Sequence, residues 1–191
     1  MKLKSFFSNI FSGLLLLLVI LMFVNPSVKA TMMQGLMKIG FFRPSLPKTT
    51  ESAPLAADVS FDDGSGKEIL LSSLKGKVVF LNFWATWCPP CRAEMPSLNT
   101  LYEKYRNDKN VIFLTVDTDG NYKKAKAFMQ KHKYSLPLYV ATSRIPGELL
   151  GRSIPTTVIL NKKGQIAFRH EGAADYSNAE FIKYFGEFIK K

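Results

Sequence analysis

Lys77-Val78-Val79-Phe80-Leu81-Asn82-Phe83-Trp84-Ala85-Thr86-Trp87-Cys88-Pro89-Pro90-Cys91-Arg92-Ala93-Glu94 is the stretch that decides the fold. After Gly76 it opens with a near-continuous apolar run, the pattern of a central strand covered on both faces. The pattern then changes abruptly. Proline in a first turn, with good helix formers behind it, predicts a helix beginning near Cys88 and running to about Arg106. A buried strand therefore feeds a helix whose first turn carries Cys88 and Cys91, the two cysteines of the chain.

Working outward, Val59–Phe61 and Ile69–Leu71 read as short strands around an Asp62-Asp63-Gly64 turn. Val111–Val116 is a second buried strand, followed by a Lys-rich helix over about Tyr122–His132. Leu138–Val140 reads as a short strand and Gly147–Leu150 as a short helix. Thr156–Leu160, the turn Asn161-Lys162-Lys163-Gly164 and Gln165–Arg169 form a hairpin. A last helix over about Asn178–Lys190 places Phe181, Ile182, Phe185, Phe188 and Ile189 on one face. Strands alternating with helices indicate an α/β sandwich with a mixed sheet.

A lone CxxC is ambiguous until its context is weighed. Structural zinc needs four ligands, and the sequence offers neither a second CxxC nor a His pair. Attachment of c-type haem needs His after the second Cys, where Arg92 stands. An iron–sulfur cluster would lack two thiolates. No metal or cofactor is therefore expected. What fits is a redox dithiol at a helix N-terminus, where unpaired N–H groups and the helix dipole favour a thiolate.

The remaining composition narrows the setting. Hydrophobic residues make up 47% and charged residues 21%, so most of the chain is globular. The net charge of +11 owes six cations to the first fifty residues (Lys2, Lys4, Lys29, Lys38, Arg43, Lys48), which contain no acid. The other 20 basic residues are scattered against 15 acidic ones, so nucleic acid is not an expected partner. Lys2 and Lys4 precede an apolar run from Phe6 to Val24, broken only by Ser8, Asn9, Ser12 and Gly13. The run is about 19 residues, near the ~20 that span a bilayer. Positive flanks of this kind keep the N-terminus in the cytoplasm and export the chain beyond the run. Its denser part, Leu14–Val24, would also serve as a signal-peptide core, with Val28-Lys29-Ala30 as a small-x-small cleavage site. The full length favours a retained anchor; either fate exports the rest. The expected organisation is an anchor or signal over 1–30, a connector over 31–57 and a catalytic domain over 58–191. Within the connector, Met32–Phe42 would lie on a membrane surface or pack on the domain. Arg43–Ala57, with Pro44, Pro47 and Pro54, reads as an extended spacer.

Phe83-Trp84-Ala85-Thr86-Trp87-Cys88-Pro89-Pro90-Cys91 resembles the active-site segment of the thioredoxin superfamily, and more narrowly of the membrane-anchored TlpA/ResA-like thiol–disulfide oxidoreductases. Ser153-Ile154-Pro155-Thr156-Thr157 resembles that family's loop whose proline is cis and faces the CxxC. The resemblance covers residues 58–191 and implies a thioredoxin-like sandwich with an extra strand–helix insertion, here over about Asp119–Arg152. It implies roles in turn: Cys88 as the exposed nucleophile, Cys91 as the resolving thiol, and Pro155 presenting backbone at the reactive sulfur. Ile154 would pair with substrate backbone, Pro89 and Pro90 would tune the couple, and Trp87 would form the rim of the site above a buried Trp84. Asn82 departs from the thioredoxin pattern, standing where a buried Asp manages the inner thiol's proton. Glu94 matches the acidic residue of the ResA-like group and takes that role. The resemblance favours a reductant of exported disulfides, fed through a membrane thiol relay. A disulfide oxidant or isomerase, a thiol peroxidase and a non-enzymatic module binding thiol proteins remain alternatives. His132 and His170 read as surface or packing residues.

Overall fold

The computed structural model describes residues 2–46 and 54–190. Two helices lead the chain: α1, Lys2–Val24, and α2, Pro26–Lys38. Asn25 separates them and caps α2 by accepting the Ser27 N–H at 2.9 Å, with Pro26 suited to the first helical position. No single helix among the described residues is long and apolar enough to cross a membrane. Asn9–Leu21 and Pro26–Lys38 meet that requirement together, bent by 101°.

Within the expected connector, the stretch 32–42 packs on the domain, one of the two placements expected for it, while the boundary at residue 30 falls inside a helix. Helix α2 runs through residues 30 and 31 without interruption, because Ala30 and Met37 bury against Ala93 and Ala173. Further on, Pro44 is buried and Leu46 packs against the main core. The middle of the expected spacer, residues 47–53, lies outside the described residues. From Pro54 the chain is already docked: the Pro54 carbonyl accepts the Ile166 N–H, and Ala56 N–H donates to the Gly164 carbonyl.

The strands are β1 (Ser60–Asp62), β2 (Glu68–Leu70), β3 (Val78–Trp84), β4 (Val111–Asp117), β5 (Leu138–Ala141), β6 (Thr156–Leu160) and β7 (Ile166–Glu171). They form one mixed sheet in the order β2-β1-β5-β4-β3-β6-β7. β3, β4 and β5 run parallel, while β6, β7, β1 and β2 join antiparallel. Every residue of β3 is buried, as its unbroken apolar run requires. β5 and the short helix α5 (Gly147–Leu150) supply the expected insertion.

Strand periodicity splits the core in two. Val78, Phe80 and Trp84 join helices α3 (Pro89–Tyr105), α4 (Tyr122–Lys131) and α6 (Ala179–Lys190) in one cluster. Val79, Leu81 and Phe83 join a second with Leu71, Leu74 and Leu149. Phe80 is the hub of the first, meeting Phe113 at 5.0 Å and Tyr176 edge-on at 5.5 Å. Aromatic pairs of this kind add about 0.5–1.5 kcal/mol each beyond burial. This packing fixes the end of β3, and hence the turn that starts α3.

Candidate active site

At the end of β3 the chain turns through Ala85-Thr86-Trp87 and enters α3. Cys88 is the N-cap, with extended backbone (φ −78°, ψ 110°), and its Sγ accepts the Cys91 N–H at 3.2 Å. This is the position where a helix offers unsatisfied donors to negative charge. Pro89 and Pro90 lack the N–H groups that would otherwise compete there. Cys88 and Cys91 are joined as a disulfide across one helical turn, Cα to Cα 5.3 Å.

The structure corrects one expectation about the nucleophile. Cys88 is not openly exposed but only 3% accessible, and Cys91 is fully enclosed. Cys88 forms the floor of a groove of about 450 Å³, walled by Trp87, Pro89 and Pro90 on one side and by Leu150, Arg152 and Ile154 on the other. The Ile154–Pro155 peptide is cis. Ile154 lines the groove, and its carbonyl oxygen lies 3.7 Å from Cys88 Sγ. Pro155 itself is buried, and its carbonyl accepts the Gly172 N–H at 2.8 Å. The cysteine pair and the proline loop, 64 positions apart in sequence, thus meet because β3 and β6 are antiparallel neighbours. Trp87 stands exposed at the rim, its indole N–H donating to both carboxylate oxygens of Asp119 at 3.1 and 2.9 Å. Trp84, by contrast, is wholly buried.

Glu94 follows Cys91 by three residues on α3 and is completely buried. Its Oε1 accepts an N–H of the Asn82 amide at 2.8 Å, and its Oε2 accepts the Ala174 N–H at 3.3 Å. Burial pushes its pKa up to about 8, although both hydrogen bonds pull the other way. Glu94 is therefore mostly protonated at neutral pH, one turn of α3 beyond Cys91. Asn82 spends its amide N–H groups on Glu94 and on Thr157 Oγ1 (2.9 Å), its neighbour in the β3–β6 register. Tyr176, also buried, adjoins this group and is held well above the usual tyrosine range, first by burial and then by Glu94.

Ala174, Tyr176 and Asp119 join the site without being expected there from the sequence. Each reaches it through space, from the loop before α6 or from the turn after β4, and no local motif marks it. Thr157 ends the Ser153-Ile154-Pro155-Thr156-Thr157 stretch, and its bond to Asn82 is made across the β3–β6 register. His132 packs at a tilt on Phe128 and stacks with Tyr134, and burial lowers its pKa. His170 lies beside Phe168 on β7 and is lowered for the same reason.

This arrangement supports a balanced two-step exchange. Once the pair is reduced, a Cys88 thiolate attacks a substrate disulfide; a new S–S bond forms and one substrate sulfur leaves as thiolate. Cys91, losing its proton, then attacks Cys88 Sγ, which expels the second substrate thiolate and closes the disulfide seen here.

Comparison with known proteins agrees with this chemistry. The Redoxin family model matches residues 48–182. A thiol-disulfide oxidoreductase ResA of Bacillus cereus (strain ATCC 10987 / NRS 248) is 31% identical over 182 residues, 93% of this chain and 95% of that protein. The ResA of a second Bacillus cereus strain is 39% identical over 105 residues, 54% of this chain and 60% of that protein. Among solved structures, a Bacteroides vulgatus protein assigned to the thiol-disulfide oxidoreductases superposes with a TM-score of 0.60 at 30% identity, covering 70% of this chain and 94% of its own. The exposed lipoprotein thioredoxin Etrx1 of Streptococcus pneumoniae gives 0.52 at 27% identity, covering 70% of this chain and 98% of its own. With a cap cysteine under a cis-proline loop and a family match over most of its length, the chain belongs to the Redoxin family, as a ResA-like thiol–disulfide oxidoreductase.

Proposed function

We propose that this oxidoreductase works outside the cytoplasm, held to a membrane by its N-terminal segment, and reduces disulfides of exported proteins. The observation that carries the direction is the surroundings of Cys88 Sγ. It receives one backbone N–H, from Cys91, and on its other side faces the Ile154 carbonyl oxygen at 3.7 Å. Among the described residues no side chain donates a hydrogen bond to it. A thiolate that has the helix N-terminus but no side-chain donor beside it makes a less oxidising couple than one with such donors, because the potential rises with the stability of the reduced form. The ResA resemblance points the same way.

The geometry supports the following roles. Cys88 attacks, Cys91 resolves, and Glu94 exchanges the Cys91 proton. Ile154 and Pro155 shape the substrate side, with Trp87, Pro89 and Pro90 forming the opposite wall. Substrates are exported proteins with disulfides or thiols, and the electrons come from a dithiol relay in the same membrane.

Membrane attachment rests on α1. Leu14 to Leu21 form an unbroken apolar run, each side chain between 39% and 62% exposed, a surface that soluble proteins avoid. Ala30, the last residue of the small-x-small motif, is buried in the middle of α2, which favours retention of the segment. The likeness to an exposed lipoprotein supports an extracytoplasmic position.

The deciding experiment is the reduction potential of the Cys88–Cys91 couple in the full chain, equilibrated against glutathione and dithiothreitol buffers. The expected value is near or below roughly −250 mV; one near roughly −120 to −180 mV would place the protein with oxidants and isomerases and overturn the reductive reading.

A further inference from the structure

Helix α2 has two faces, and each meets something different. Ala30, Met33 and Met37, spaced at three and four residues, turn toward α3 and pack with Ala93 and Ala173. Polar bonds fasten this side to the cysteine-bearing turn: Gln34 Nε2 donates to the Arg92 carbonyl at 3.3 Å, and Arg92 Nη2 donates to Ser27 Oγ at 2.8 Å. Arg92 directly follows Cys91 and lies over the Phe128 ring at 5.4 Å. Beyond α2 the Phe42 carbonyl accepts the Asp175 N–H at 2.9 Å. The segment is therefore docked on the catalytic domain.

The exposed side of α2 mixes Thr31, Gly35 and Lys38 with two uncovered apolar side chains. Met32 and Leu36, one turn apart and about a third of a turn from the docked row, are 43% and 40% exposed. Ile39, Phe41 and Phe42 continue the patch past the helix end at 71%, 60% and 39%. Lys38 and Arg43 are exposed within the same stretch, and no acidic residue occurs before Glu51. Exposed apolar side chains flanked by cations, without acids, are the signature of a helix lying in the plane of an anionic membrane surface.

We propose that residues 26–43 form an interfacial seat, lying flat on the anionic surface of the membrane that holds α1 and fixing the cysteine groove at a set height above it. The seat rests on the membrane attachment proposed for α1 and adds a second point of contact. Continuity supports this occupant over others, since one residue separates α2 from α1 and the two helices bend by 101°. A helix that starts where α1 leaves the bilayer and turns through a right angle runs along the surface. Passage of α2 through the hydrocarbon is opposed by its docked face, since Arg92 and the rest of α3 would have to follow it in.

The test uses the full chain in vesicles of phosphatidylcholine with phosphatidylglycerol, carrying Leu36→Trp or Phe41→Trp, with the emission of the unsubstituted chain subtracted. Lipids brominated close to the headgroup are expected to quench both added tryptophans by about twofold or more, as for side chains buried at the headgroup–acyl boundary. Lys109→Trp, on the turn before β4, should be unquenched. Quenching should weaken in vesicles of phosphatidylcholine alone; equal quenching there would overturn the anionic part. Water-exposed, unquenched emission at positions 36 and 41, with the chain still resistant to carbonate extraction, would overturn the seat and leave the anchor standing. Emission that depends on protein concentration and not on bromination would assign the patch to a second copy, and also overturn it. Release of the chain by carbonate would remove the membrane reading itself.

Discussion

Replacing Glu94 by Gln should abolish a steep loss of stability with rising pH. In the folded protein the Glu94 pKa stands at about 8 because the side chain is completely buried, against a reference value of 4.5. Between those values the folded state holds a proton that the unfolded state has released. Stability is therefore fully present below about pH 4.5 and falls as the pH rises toward 8, by about 1.4 kcal/mol per unit. Over the window this amounts to roughly 5 kcal/mol, comparable to the whole stability of many domains. Glu94→Gln carries a fixed cost instead. Its oxygen can still accept from Asn82, but its NH₂ then confronts the Ala174 N–H, and a buried donor left unmade costs about 1–3 kcal/mol. The variant should be the less stable protein at pH 5 and the more stable one at pH 8, with the two curves crossing between about pH 5 and 7. The assay is urea unfolding of the oxidised full chain in detergent at pH 5, 6.5 and 8. Asp117 is also raised by burial, while His132 and His170 are lowered. Their contributions are common to both proteins and cancel in the difference. Parallel curves would refute a protonated, enclosed Glu94 and with it the proton-handling role.

Cys91→Ser should accumulate mixed disulfides with thiol-bearing substrates through Cys88, seen as adducts on non-reducing gels, whereas Cys88→Ser should give none. Trp87→Phe removes the indole bond to Asp119 at the groove rim; kcat/KM toward a protein disulfide should fall by up to about tenfold with hydroxyethyl disulfide turnover nearly unchanged, since one exposed hydrogen bond to a charged group is at stake. Phe185→Ala should lower stability by about 3–5 kcal/mol in urea unfolding, because its ring is buried among Phe80, Tyr105, Phe113 and Phe181. Gly64→Ala should cost about 1–2 kcal/mol or more in urea unfolding, as position 64 has φ +80° and a Cβ there would run into the Tyr122 ring.

Local pattern makes part of this legible. The apolar run from Val78 and the prolines behind Cys88 mark β3 and the start of α3, since burial and first-turn geometry are properties of neighbouring residues. The spacing of Glu94 to Cys91 places it on α3. Its enclosure is invisible at that level, because it is made by Asn82, Thr157, Ala174 and Tyr176 from three other parts of the chain. The cover over Cys88 is hidden for the same reason: Ile154 and Leu150 form it, brought there by the β3–β6 pairing and the insertion. The N-terminal boundary is obscured differently. The small-x-small pattern Val28-Lys29-Ala30 suggests a boundary at residue 30, yet that position lies inside a helix opened by Pro26, whose missing N–H costs nothing at the first helical position.

The loop from Ala173 to Asp175 joins the two less expected features. Its Ala174 N–H serves Glu94, its Ala173 packs with Ala30 and Met37 of α2, and its Asp175 N–H is held by the Phe42 carbonyl. Three consecutive residues thus meet the buried acid on one side and the N-terminal segment on the other. Any force that lifts α2 from α3 pulls on the backbone donor that faces Glu94 Oε2, and reaches Arg92, the residue after Cys91, through Gln34 and Ser27. The seat and the proton site share covalent neighbours, so disturbing residues 26–43 should move the pH dependence of thiol exchange as well as the position of the domain. A pH profile of Cys88 alkylation that is unmoved in Gln34→Ala and Met37→Ala would show that the two are independent despite their common loop.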